Sequence, residues 1–84
     1  MESLLSLKFL ENNTIRSYDC HLLDDDQLEI ISFCDNEIIG KINLNSEQLK
    51  NLIIFIDEQN ISEIEINDIN IKTSYLKNLN CLCE

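Results

Sequence analysis

Residues 35–60 read DNEIIGKINLNSEQLKNLIIFIDEQN, and inside this stretch the hydrophobic period changes from two to about 3.6. Ile38, Gly40, Ile42 and Leu44 fall at every second position, the pattern of one strand face. Asn45 then offers a side-chain oxygen to the first turn of a helix, and Gln48 stands where a capping box needs its second member. Leu44 and Leu49 occupy the positions of a hydrophobic staple. Leu49, Leu52, Ile53 and Ile56 form one helical stripe, and Asn60 suits the C-terminal end. Ile54 does not join the stripe. It projects among Glu47, Lys50, Asn51 and Glu58 on the polar side, while Phe55 flanks the stripe.

Upstream of this stretch the chain reads as strands. Leu5, Leu7 and Phe9 alternate with Ser6 and Lys8, and Asn12-Asn13 tolerates the left-handed backbone of a turn. Tyr18, Cys20 and Leu22 alternate with Ser17, Asp19 and His21. The three adjacent carboxylates Asp24-Asp25-Asp26 demand a solvated turn. Leu28, Ile30, Ser32 and Cys34 share one face of the third strand, with Glu29, Ile31 and Phe33 on the other; Asp35-Asn36 supplies a two-residue hairpin turn. Downstream, Ile64 and Ile66 alternate with Glu63 and Glu65, Asn67-Asp68 turns the chain, and Ile69 and Ile71 resume the alternation. Residues 73–84 fit a short helix through Tyr75, Leu76 and Leu79, or a strand through Leu79, Cys81 and Cys83; the helix is preferred.

These patterns predict a single α+β domain over residues 1–84. Its order is β-β-β-β-α-β-β: a four-stranded antiparallel meander, one amphipathic helix packed on one face, a further strand pair and a short C-terminal helix. One helix cannot cover both faces of the sheet. The face carrying Ile31, Phe33 and Ile39 is left for the C-terminal segment or for a partner.

Charge is the strongest functional signal. Sixteen Asp and Glu face six Lys and Arg, for a net charge of −10. Ile (14) and Asn (11) are abundant and Ala, Val, Pro and Trp are absent, the mark of AT-rich coding, which should also enrich Lys; only five Lys are present. The acidity is spread over both halves of the chain, so it belongs to the folded surface rather than to a tail. Such a field repels nucleic acid and anionic lipid and steers the molecule toward cationic surfaces. No apolar run is long enough to span a membrane, and the N-terminal residues lack a basic leader; both predict a cytoplasmic protein.

Other chemistries find less support. Cys20, Cys34, Cys81 and Cys83, with the lone His21, lack the paired knuckles of structural zinc, and Cys20 and His21 point to opposite faces of a strand. The thiols read as reduced, buried or half-buried groups. There is no glycine-rich phosphate loop, no nucleophile–base pairing and no EF-hand spacing around Asp24-Asp25-Asp26. The expectation is a binding protein without enzymatic activity, metal or other cofactor.

The expected binding residues are Asp57, Glu58, Glu63 and Glu65, with Asp24, Asp25 and Asp26 as a second acidic group and Ile54 as an apolar anchor. Glu63 and Glu65 lie about 6.7 Å apart along one strand face, a spacing that imitates the phosphates of a nucleic-acid backbone. In size, acidity and coding bias the whole chain resembles phage-encoded anti-CRISPR and other anti-defence proteins. The resemblance is one of composition and transfers no residue. It implies an inhibitor that occludes a basic, nucleic-acid-binding surface of a larger protein such as an RNA-guided nuclease, with no direct binding of nucleic acid or membrane. Two further readings are an immunity protein that neutralises a toxin nuclease and an oligomeric accessory module; the chain would act as a monomer or a homodimer.

Overall fold

The computed structural model describes residues 3–23 and 26–82. Strands β1 (Ser3–Glu11), β2 (Thr14–Leu22), β3 (Gln27–Cys34) and β4 (Glu37–Asn45) form an antiparallel meander in the order β1-β2-β3-β4. Helix α1 (Ser46–Gln59) follows, then a separate two-stranded hairpin of β5 (Glu63–Ile66) and β6 (Ile69–Lys72), and finally helix α2 (Thr73–Leu82). This is the α+β order expected, with the helical alternative realised at the C-terminus. Among the described residues no helix is long and apolar enough to cross a membrane.

Local chemistry accounts for the boundaries. The hairpin turns at Asn12-Asn13, Asp35-Asn36 and Asn67-Asp68 have positive φ at both central residues, as a type I′ turn requires. Asn45 caps α1 by accepting from the Gln48 backbone N–H (2.7 Å), while the Gln48 side chain accepts from the Asn45 N–H (2.9 Å). Asn60 closes the helix in left-handed backbone.

The meander is covered on one face. Tyr18 and Cys20 from β2, Leu28 and Ile30 from β3 and Ile42 from β4 meet Leu49 and Ile56 of α1, Ile69 and Ile71 of β6, and Tyr75, Leu76 and Leu79 of α2. Both helices and the hairpin therefore lie in one layer. The Cα extents of 34 × 33 × 21 Å leave room for two layers only. The opposite face of the meander, which we term the outer face, is not packed into this core.

The alternation is broken in two places, at Leu4 in β1, between the pairs Ser3–His21 and Leu5–Cys20, and in β4. Ser32 pairs with Gly40, but Phe33 pairs with Ile38, so the register slips and Ile39 is the extra residue of a bulge. Ile38 thereby turns onto the outer face beside Phe33 and is 58% exposed, instead of joining Gly40, Ile42 and Leu44 inside. An alternating pattern cannot reveal an inserted residue, which is why Ile38 was expected inside.

Candidate functional site

The hairpin β5–β6 is clasped to the meander by an alternating set of charges. Glu63 and Lys72 are register partners across the hairpin. Each takes an opposite charge from the sheet: Arg16 Nη1 donates to Glu63 Oε1 at 2.8 Å, and Lys72 Nζ lies 2.7 Å from Glu11 Oε1. Arg16 Nη2 also donates to the Asn70 carbonyl, which the Tyr18 hydroxyl reaches at 3.1 Å. Beneath these groups the rings of Phe9, Tyr18 and Tyr75 meet in sequence, Phe9 edge-to-face with Tyr18 and Tyr18 tilted against Tyr75, with centroid separations of 5.9 Å and 5.1 Å. Arg16 sits over the Tyr18 ring and Lys72 over the Phe9 ring. The bond from Lys72 holds the Glu11 carboxyl below its ordinary pKa, and the same bond raises that of Lys72.

This clasp consumes cations. Arg16 and Lys72 are engaged in it, and Lys77 of α2 pairs with Asp57 of α1 at 3.0 Å. Glu29, Glu37, Glu47, Glu58, Glu65 and Asp68 have no cation within ion-pair distance among the described residues. Each pair removes one carboxylate along with one cation, so the net charge of −10 stands and is carried by carboxylates without a cation of their own.

The expected binding residues do not form one row. Glu63 is half-buried and held by Arg16, and Asp57 is held by Lys77; these two carboxylates face different elements. Glu58 and Glu65 are exposed and uncompensated. Asp24 and Asp25 lie outside the described residues. Asp26 is exposed and accepts from the Ser46 hydroxyl at 2.7 Å, which places it at the start of α1. Asp57 stands eleven residues further along that helix, so the two acidic groups are separated by about 17 Å.

Ile54 is where the helical geometry puts it, outward and 56% exposed, and Phe55 beside it is 50% exposed. On α1 the residues furthest from the core are Glu47, Asn51, Ile54 and Glu58, spaced by four, three and four. They make a solvent-facing line with a carboxylate at each end, about 16 Å apart, and an apolar centre that Phe55 widens. A small apolar patch inside a polar rim is the anatomy of a protein-binding surface. Phe55 was not expected in it; its place 100° from Ile54 put it at the margin of the stripe, and only the packing shows which side it takes.

Cys20 is buried in the core and His21 points to the outer face, as strand alternation requires. Cys34 is half-buried, Cys81 is exposed, and Cys83 lies outside the described residues. Among the described residues no three His, Cys, Asp or Glu side chains come together as a metal-holding group. Comparison with known proteins gives no match to a protein-family model, to a curated protein or to a solved structure.

Proposed function

We propose that this chain is a protein-binding inhibitor that lays its acidic surface on a basic, nucleic-acid-binding surface of a larger protein. The observation that carries the reading is the outward line Glu47–Asn51–Ile54–Glu58 on α1, flanked by Phe55, with the exposed carboxylates Glu65 and Asp68 of the hairpin adding to the negative field. Carboxylates at the ends would meet Lys and Arg that otherwise grip phosphates, and Ile54 with Phe55 would supply the desolvated centre. Long-range attraction would make association fast and dependent on salt. The compositional resemblance to anti-defence proteins makes an RNA-guided nuclease a fitting target class.

The test uses the full chain as bait against host lysate in about 50 mM and about 500 mM NaCl, with excess duplex DNA as competitor. The expected result is capture of basic nucleic-acid-binding proteins at low salt, displaced both by DNA and by high salt. The paired variant Glu58→Gln/Glu65→Gln should reduce capture about tenfold, and Ile54→Asp similarly. Glu63→Lys is unsuited to this purpose, because it would set a cation against Arg16 and Lys72 and unsettle the fold. Capture indifferent to salt and to both variants sinks the proposal.

A further inference from the structure

We infer that the uncovered outer face of the meander docks a second copy of this chain. The pairing registers arrange this face in rows. Leu10 lies opposite Ile15; Lys8, Ser17, Phe33 and Ile38 form the next row; Ser6, Asp19, Ile31 and Lys41 the third; His21, Glu29 and Asn43 the fourth. The apolar side chains gather at the end made by the Asn12-Asn13 and Asp35-Asn36 turns. There Leu10 is 76% exposed, with Ile15, Ile38 and Ile39 also exposed.

Charge selects the occupant. A molecule of net charge −10 repels its own copies over most of its surface. The outer face is the exception, because Lys8 and Lys41 balance Asp19 and Glu29 across its second, third and fourth rows. A basic partner would find little to hold on this face. A second copy, turned by a two-fold axis, would set the lysines of one against the carboxylates of the other.

Shape and size agree with a self-complementary contact. Beside the protruding Ile38 lies a shallow hollow of about 180 Å³ lined by Ser6, Lys8, Ser17, Asp19, Phe33 and Asn36. Knob and hollow on one face are what an isologous interface requires. Four strands of eight or nine residues present a face of roughly 550 Å² at ordinary strand spacing and rise. Two copies would bury about 1,100 Å², near the lower bound of a specific interface, so the dimer should be reversible and concentration-dependent. It would carry the two α1 lines on its opposite outer sides, making the molecule bivalent toward its target.

Sedimentation equilibrium tests this with the full chain from about 10 µM to about 1 mM, in about 50 mM and about 500 mM NaCl. The expected result is a monomer–dimer equilibrium that tightens as salt rises, because screening removes the repulsion between copies. Ile38→Asp and Leu10→Asp change exposed side chains, so the fold should survive, as far-UV circular dichroism would verify. Each should weaken the dimer at least about tenfold, and Ile54→Asp should leave it unchanged. A monomer at every concentration and salt overturns the inference, as does a dimer lost through Ile54→Asp but kept in both outer-face variants. Target capture weakens with salt while this dimer tightens, so failure of one leaves the other standing.

Discussion

Asn12, Asn13, Asp35, Asn36, Asn67 and Asp68 all hold left-handed backbone, with φ between 48° and 71°, and none is glycine. Asn and Asp bear this conformation at less cost than other side chains, but glycine bears it at none. Asn36→Gly should therefore raise stability by about 0.5–1 kcal/mol, and Tm by several degrees, in thermal unfolding followed by circular dichroism. Asn43→Gly, in the extended middle of β4, serves as the opposite control and should lower Tm. A fall in Tm for Asn36→Gly would mean that the side chain matters more there than the backbone. These turns were legible in the sequence because their chemistry is local. The same holds for the Asn45–Gln48 capping box, complete within four residues. The state of Glu63 was not legible: its neighbours in sequence show an exposed strand face, and its partner Arg16 lies 47 residues away.

At the scale of elements, the hairpin β5–β6 is held by the Arg16–Glu63 and Lys72–Glu11 pairs at its open end and by Ile69 beside its turn. Gly40 is the floor on which Ile69 rests. A Cβ at position 40 would fall on Ile69 Cδ1 and within 2.8 Å of its Cγ1. Gly40→Ala should destabilise the protein by about 1–3 kcal/mol, since Ile69 is buried and cannot withdraw freely. Adding Ile69→Val removes the Cδ1 atom, so the double variant should be more stable than the sum of the two singles in urea unfolding. Strict additivity would show that the hairpin does not press on β4 there. Element order was readable from periodicity, including the switch at Asn45. The layer that each element joins was not, because α2 could have covered either face of the meander; only the whole set of apolar stripes decides it. The bulge at Ile39 escaped for the same reason, since a single added residue leaves both flanking alternations intact.

For the whole molecule, the decisive term is self-repulsion. Among the described residues three ion pairs act locally, but the remaining carboxylates repel one another at Debye range. Tm should rise from about 20 mM to about 500 mM NaCl, and sodium sulfate at matched ionic strength should raise it further through its effect on apolar burial. A steady fall with NaCl would show that the clasp pairs outweigh the global field. The overall acidity was visible in composition alone. Where the field is balanced was not, because the outer-face quartet Lys8, Lys41, Asp19 and Glu29 is assembled from four strands.

Tyr18 and Tyr75, whose rings pack together at a tilt, are the only tyrosines in a chain without tryptophan. Burial pushes both phenols above their ordinary value of 10.0, most strongly at Tyr75, whose hydroxyl donates to the Leu5 carbonyl at 2.9 Å. A raised value in the folded state means that their contribution to stability is complete below pH 10 and is lost as the solution becomes more alkaline. Ultraviolet absorbance of tyrosinate thus becomes an optical clock for opening of the core. In an alkaline jump the signal should appear at the rate of unfolding rather than within the mixing time, with no label attached to the chain.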